Sequence, residues 1–345
     1  MKAVYFPGNK QVEVREVPTP NPGPREVLIR MQASAICRSD MSLYYGNADP
    51  VVGSEDAGKG TVIPGHEPAG IVEAVGQGVT TLKPGDRVAV YLAIGCMACS
   101  YCLSGYRMLC AQWKCVGFDV HGGDADYIVV PEINCLPLPD TMSFEVAAVS
   151  TDAVGTLYHA QKRLGISGRD TLTIFGLGPM GMAGVLIAKA AGAKVIAVDL
   201  VDHRLELAKE LGVDHVINGK EADVVHEILQ LTNGSGPDAV IDCTGSPICH
   251  NQAFDVLRRH GRGAFIGEAK ETTIKPSDQF IRKQINVIGS WYFPIHEWGE
   301  ITDFIVRKQI PVEKLITHRF SINEAEKAFR MFDQRKTEKA VFTWS

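Results

Sequence analysis

What this chain lacks narrows it first. It has no run of basic residues, and 35 Lys and Arg against 40 Asp and Glu leave a net charge of −5. That balance argues against a nucleic-acid partner or an anionic membrane surface. It also has no apolar stretch long enough to cross a bilayer, since the most apolar helical candidate, Met182 to Ala191, is short and interrupted by Lys189. The opening MKAVYFPGNK carries no apolar leader and no cleavage site, so the expectation is a cytoplasmic protein with reduced cysteines. Asn233-Gly234-Ser235 is then an idle glycosylation sequon. Nor does any segment look disordered. With 45% hydrophobic and 22% charged residues over 345 positions, the chain is too long for one core and fits two domains.

The most informative stretch that is present runs from Thr171 to Asp199. A short apolar run reads as a buried strand and enters Gly176-Leu177-Gly178-Pro179-Met180-Gly181, which has the pattern G-x-G-x-x-G. A small-residue helix from about Pro179 to Ala191 then stops at Gly192, and Val195 to Val198 make a second strand ending in Asp199. In such a βαβ unit Gly176 permits the tight turn, Gly178 lets backbone N–H groups approach a pyrophosphate, and Gly181 lets helix and strand pack closely. Asp199 stands where a carboxylate accepts hydrogen bonds from an adenosine ribose. The same charge repels a ribose phosphate, and Leu200 offers no cation to hold one, which favours NAD over NADP. His203 and Arg204 are near, on a helix expected to be capped by Asp202.

Around this unit the chain reads as two kinds of material. Residues 1 to 36 alternate in short apolar runs broken by TPNPGPRE, as strands of a β-domain do. Turn-and-strand segments continue to about Leu138, and Ser143 to Leu164 looks helical with a break at Gly155. From 200 to 290, helices at Asp202 to Leu211, Ala222 to Leu231 and Ile248 to Arg259 alternate with strands HVIN, AVIDC, AFIG and NVIGSWYF, the repeat of a doubly wound parallel sheet. Helices at Ile301 to Lys308 and Ile322 to Phe332 and a strand AVFTW complete the tail. The division expected is 1–152 with 295–345 as one domain and 153–294 as the other. Gly53 to Gly60, GSEDAGKG, nearly spells a triphosphate-binding loop. Its final position is Gly60 rather than a hydroxyl residue, so it reads as a surface loop.

Nine cysteines in a reducing compartment suggest metal rather than disulfides. Cys96, Cys99, Cys102 and Cys110 have a C-x₂-C-x₂-C-x₇-C spacing within a lobe at 95–111. Four thiolates so close suit a closed, structural zinc site, with an iron–sulfur cluster or free thiols as the alternatives. A second site assembles only from distant residues: Cys37, His66 and either Asp152 or Glu67 would give three protein ligands and an open position.

Cys37-Arg38-Ser39-Asp40, Gly65-His66-Glu67-Pro68-Ala69-Gly70, the cysteine lobe and Gly176 to Gly181 together resemble the zinc-dependent medium-chain dehydrogenases, in order and spacing over nearly the whole chain. The resemblance implies an α/β architecture: a GroES-like, β-rich catalytic domain plus a Rossmann domain. It implies two zinc ions per subunit and NAD. Cys37, His66 and Asp152 match the catalytic ligands, and Glu67 the acid beside them that is itself a ligand in some polyol-type members. Ser39 matches the hydroxyl that takes the substrate proton, Asp40 the carboxylate that orients His66, and Arg38 a pyrophosphate contact. Gly176, Gly178, Pro179, Met180, Gly181, Asp199 and Arg204 are the expected cofactor contacts. Ser42 stands where many members carry the histidine that passes the proton to solvent. His121 and Asp124 depart from the usual acid-Gly-Gly-apolar pattern and are candidate substrate contacts or plain loop residues.

The chemistry implied is alcohol oxidation with hydride passing to NAD. Two carboxylates near the metal, with CRSDMSLYYGN and IGSWYF, resemble the sorbitol and polyol branch, so a polyol, sugar or cyclitol substrate is expected. Simple alcohols or threonine are the alternative. Tyr44, Trp113, Phe118, Trp291, Tyr292 and Phe293 are candidate pocket aromatics or core. A non-enzymatic NAD(H)-binding protein is the remote reading, disfavoured because its relatives typically lack the ligand set present here. Members associate through the edge strand near NVIGSWYF as homodimers or homotetramers.

Overall fold

The computed structural model describes residues 1–46 and 60–344, so the surface loop expected at Gly53 to Gly60 lies, but for Gly60, outside the described residues. The chain divides into two compact units, Met1–Asp152 with Pro294–Val306 and Val312–Ser345, and Ala153–Phe293 with Arg307–Pro311. Residues 307–311, which the sequence assigned with the tail, thus group with the second unit.

The first unit is built on a mixed sheet whose path runs Ile316–Phe320, Lys339–Thr343, Glu26–Ile36, Glu67–Val75, Arg87–Val90 and Cys135–Pro137, with Tyr127–Pro131 also on the Glu26–Ile36 strand. Val27, Ile29, Met31, Val88 and Val90 are fully buried at alternate positions, and the consecutive Val341 and Phe342 show that the strand Lys339–Thr343 is covered on both faces. Two registers bring distant residues together. Ala35 lies opposite Glu67 and Ala340 opposite Ile36, all antiparallel. The residue after one strand (Cys37), the first of a second (Glu67) and the first of a third (Lys339) therefore gather at one end of the sheet.

In the second unit six parallel strands take the order His215–Asn218, Lys194–Asp199, Thr171–Phe175, Ala239–Asp242, Arg262–Phe265 and Asn286–Gly289. The strand order reverses between Thr171–Phe175 and Ala239–Asp242, where a doubly wound sheet opens a crevice for a ligand. Gly178 caps the helix Pro179–Ala190 with extended backbone, and Pro179 takes the first helical position, where its missing N–H costs nothing.

Several expected boundaries shift for local reasons. The helix expected from Ala222 starts at Val224, because the Asp223 carboxylate accepts from the His226 N–H as a cap. The helix expected from Ile248 runs Pro247–Val256. The last strand stops at Gly289, and Tyr292 has a positive φ of 56°, outside extended backbone. Most telling is the stretch 143–164. It does not break at Gly155 but passes from Phe144–Val149 through a π turn, Ser150–Val154, into Gly155–Leu164. Ser150 Oγ donates to Val146 O at 2.6 Å and Thr151 Oγ1 to Ala148 O at 2.7 Å, so hydroxyls compete with the backbone ladder where it widens.

Candidate metal centre and dinucleotide turn

That π turn carries Asp152. Its carboxylate accepts from the Cys37 thiol at 3.2 Å and lies 3.8 Å from His66 Nε2, which is itself 4.0 Å from Glu67 Oε1. One ligand atom from each of Cys37, His66, Glu67 and Asp152 falls within 4.8 Å of all the others. A tetrahedral zinc with bonds of about 2.0–2.3 Å spaces its ligands roughly 3.3–3.8 Å apart, so the set needs only a small contraction.

The surrounding groups orient this cluster. Asp40, fully buried at the start of the short helix Asp40–Tyr45, accepts from the Cys37 N–H at 2.8 Å through one oxygen. Its other oxygen lies 2.8 Å from His66 Nδ1. With Nδ1–H donating to Asp40, Nε2 is the basic nitrogen that faces the other donors. Ser39 Oγ sits 3.3 Å from that Nε2. Ser42 Oγ donates to the Ser39 carbonyl at 2.9 Å, a helix-turn contact rather than a link to the Ser39 hydroxyl. The Phe118 ring packs on His66 with centroids 5.3 Å apart.

Charge in this cluster is poised for a cation. Burial, and then the Asp152 carboxylate, push the Cys37 thiol up. Burial would raise Asp152 too, yet hydrogen bonding from His66 and the Lys339 ammonium hold it well below the ordinary carboxylate range. Burial opposes protonation of His66, but Asp40, Asp152 and Cys37 together outweigh it and raise the imidazole well above its usual value. Burial pushes Glu67 up to about 8 against the opposing Lys339 charge. A divalent ion reverses this logic by favouring every deprotonated ligand. Glu67 Oε2 supplies the observation that tests the fit: it is buried without a hydrogen-bond partner, while Oε1 accepts from Lys339. A thiol, an imidazole and two carboxyls with one orphaned oxygen fit zinc.

Cys96, Cys99, Cys102 and Cys110 form a second such group. Sulfur atoms of Cys96 and Cys102 are 3.9 Å apart, and backbone N–H groups of Ala98 and Cys99 point at Cys96 Sγ at 3.5 and 3.4 Å. Those N–H dipoles pull the Cys96 thiol down to about 6, toward the thiolate a metal binds. The set fits a closed tetrahedral ion.

In the second unit the glycine turn is tight where the spacing requires it. Gly176 has φ +84°, and a Cβ on Gly181 would stand 1.8 Å from the Gly176 carbonyl oxygen. Asp199 is nearly buried: Oδ2 accepts from the Leu177 N–H at 2.5 Å, and Oδ1 from the Leu200 and Val201 N–H groups at 2.7 and 2.9 Å. The acid therefore pins the glycine turn to the second strand. Arg204 Nη1 lies 4.0 Å from Asp199 and beside Gly178. Met180 comes after Pro179 in the first turn of the helix. The expected cap by Asp202 is not what forms. Val201 is the cap position, with no side-chain bond, and Asp202 is the first helical residue, accepting from Asn218 Nδ2 at 2.9 Å.

The remaining candidates separate. Arg38 is exposed and interacts with the Tyr45 hydroxyl and the Asp333 carboxylate. Asp124 is buried behind the metal cluster, accepting from Ser34 Oγ at 2.6 Å, and burial pushes it up to about 7. A residue so enclosed does not contact substrate. His121 Nδ1 accepts from the Ile63 N–H at 3.2 Å, a loop contact. Tyr44 is core, packed on Phe6 and Phe329, and Tyr292 and Phe293 are buried against each other. Trp113 is half-buried and Trp291 exposed. Sequence reasoning missed Lys339, fully buried and bonded to Glu67. The only signal was a lysine at the start of an otherwise apolar strand.

The chain's similarity to known proteins divides along the same two units. Residues 23–140 match the alcohol dehydrogenase GroES-like domain, and residues 179–307 match the zinc-binding dehydrogenase domain. The uncharacterized zinc-type alcohol dehydrogenase-like protein YphC of Escherichia coli is 35% identical over 100% of this chain and 99% of its own. Sorbitol dehydrogenase of Halalkalibacterium halodurans is 31% identical over 97% and 96%. L-threonine 3-dehydrogenase of Pyrococcus horikoshii is 34% identical over 96% and 94%. Among solved structures, galactitol-1-phosphate dehydrogenase of Escherichia coli superimposes with a TM-score of 0.90 at 27% identity, over 100% of both chains.

Proposed function

Since the chain belongs to the zinc-type medium-chain alcohol dehydrogenase family, we propose that it oxidises a secondary alcohol of a polyol, sugar or cyclitol, with hydride passing to NAD. The observation that carries this reading is the convergence of Cys37, His66, Glu67 and Asp152 within 4.8 Å beside Ser39. Zinc held by Cys37, His66 and Asp152, with Glu67 in reach, supplies the Lewis acidity that makes an alcohol proton labile, and NAD supplies the hydride acceptor.

The chain's own residues do the rest. Ser39 Oγ takes the hydroxyl proton as it releases its own to water, placed for it by the turn that leads from Cys37 into the helix Asp40–Tyr45. Asp40 holds the His66 ring in one tautomer and one orientation. Asp152 and Glu67 make the surroundings anionic, which suits an uncharged, polyhydroxylated substrate better than an anion. The sorbitol and galactitol-1-phosphate relatives support the polyol class. The threonine relative favours a second reading, a hydroxy amino acid.

On the cofactor side, Asp199 disfavours a 2′-phosphate by charge and supports NAD, with Pro179, Met180, Gly176, Gly178 and Gly181 forming the phosphate turn and Arg204 beside it. Arg38 is the pyrophosphate contact in this reading. It also includes a structural zinc on the cysteine lobe, a reducing cytoplasmic location, and a homodimer or homotetramer through the strand Asn286–Gly289, whose far side has no partner among the described residues.

The test is the initial rate of NAD⁺ and NADP⁺ reduction by zinc-loaded protein across panels of polyols, sugars, cyclitols, simple alcohols and threonine. Preference for a polyhydroxylated compound with NAD is expected, and Cys37→Ala and Asp152→Ala should each lose at least about a hundredfold in kcat/KM with the fold retained. Preference for threonine would replace the substrate class. Undiminished turnover by zinc-depleted Cys37→Ala would remove the metal from the mechanism.

A further inference from the structure

A buried cation beside the metal ligands has no role in alcohol oxidation as derived from the ligands, Ser39 and Asp40 alone. Lys339 begins the strand Lys339–Thr343, is 1% exposed, and donates to the Ile36 carbonyl at 3.3 Å and to Glu67 Oε1. Because Ala340 pairs with Ile36 and Ala35 with Glu67, the ammonium is delivered across the intervening strand to the acid. Its charge is felt by Cys37 and Asp152 as well as Glu67.

A lysine is costly to bury, and a pair that served packing alone would satisfy both carboxylate oxygens. Here one oxygen is tied and the other is left without a partner. With Cys37, Glu67 and Asp152 deprotonated, the three ligand charges exceed those of a divalent ion, and Lys339 offsets the excess while Asp40 leaves the surroundings anionic.

Resting on the metal reading of this site, we propose that Lys339 is a positioning residue of the catalytic centre. By holding Oε1, the oxygen that lies 4.0 Å from His66 Nε2, it competes with the metal for Glu67 and keeps Glu67 a weak ligand that substrate displaces. Removing the ammonium leaves a buried carboxylate unpaired, and in the metal-loaded protein the divalent ion, which favours the deprotonated ligand, compensates it in place of a proton. Metal should therefore bind more tightly as catalysis weakens.

The experiment uses the full chain and reads metal rather than turnover alone. Zinc affinity at the Cys37 site is measured by chelator competition, and Co²⁺ coordination by visible absorption taken as a difference against Cys37→Ala. Lys339→Met should tighten the metal about ten- to hundredfold, the range over which groups surrounding metal ligands act. It should also weaken the cobalt band as coordination number rises, and lower kcat rather than raise KM. Lys339→Arg should stay near the native affinity, and Glu67→Gln in the Lys339→Met background should restore it. Should Lys339→Met fail to fold, Glu67→Gln alone decides, because the proposal requires it to loosen the metal. Native affinity and an unchanged cobalt band in Lys339→Met, or in Glu67→Gln where Lys339→Met does not fold, would overturn the proposal while leaving the zinc reading intact. A native protein that holds no metal at Cys37 would overturn both.

Discussion

At the scale of single residues, the dinucleotide turn leaves little freedom. Gly181→Ala places a methyl group against the Gly176 carbonyl, backbone against backbone, where no side chain can move aside. A loss of at least about 3 kcal/mol of stability is expected, with dinucleotide binding abolished, read by denaturant unfolding and calorimetric titration. Asp199→Ala is a different case. It should weaken NAD and narrow the NAD over NADP preference at least about tenfold, because the charge goes while Arg204 remains. A preference unmoved in Asp199→Ala would mean that this acid serves only to pin the turn. These residues were legible because each answers a local demand of the backbone. Lys339 was not, since its partner Glu67 is distant in sequence and only strand register brings them together. Asp124 was left between two roles for a similar reason: nothing in HGGDADY tells that its side chain turns inward to Ser34.

At the scale of elements, the widened turn at Ser150–Val154 shows what periodicity hides. The residues on either side are helical, so the pattern reads as helix broken only at Gly155, and the extra residue per turn that aims Asp152 toward Cys37 leaves no mark in the sequence. The cysteine lobe is the opposite case, where spacing alone named the group. Cys102→Ser should remove one of two zinc ions per chain and lower the melting temperature, with the ions counted by atomic emission and the melt followed by circular dichroism.

A second element-scale test concerns Asp170, which joins the end of the helix Gly155–Leu164 to the strand Arg262–Phe265. It accepts from Ser167 N and Oγ at 2.8 and 2.9 Å and pairs with Arg262. Burial would raise this carboxyl, but the Ser167 and Arg262 bonds hold it below its ordinary value. A depressed folded-state value means stability that is present above about pH 4 and lost as pH falls through the folded value. Asp170→Asn should cost about 1–3 kcal/mol at pH 7 and progressively less below pH 4, measured by urea unfolding across pH. A constant cost across that range would remove the charge from the explanation.

At the scale of the whole molecule, the candidate metal donors lie in the first unit and the glycine turn in the second. Chelation should loosen residues 1–152 and 312–344 in hydrogen exchange, whereas NAD at a hundredfold excess over its dissociation constant should stabilise 153–293 by about 2.7 kcal/mol. Protection that spread equally over both units from either ligand would contradict this separation. Much of the two-unit plan was visible as a change from period-two runs to alternating strands and helices. What was not visible is that residues 307–311 group with the second unit, because compactness, not pattern, decides it.

The discontinuity of the first unit also sets an order of events during synthesis. Cys37, His66, Glu67 and Asp152 leave the ribosome before the parallel sheet is made, but the strand bearing Lys339 emerges only after that sheet is complete. A nascent chain can therefore close its dinucleotide fold while three acidic ligand groups still lack their counter-charge. Metal captured at that stage meets a cluster with Glu67 untethered, so the site matures twice: once when the ion enters, and again when the late strand slides in and draws one oxygen away.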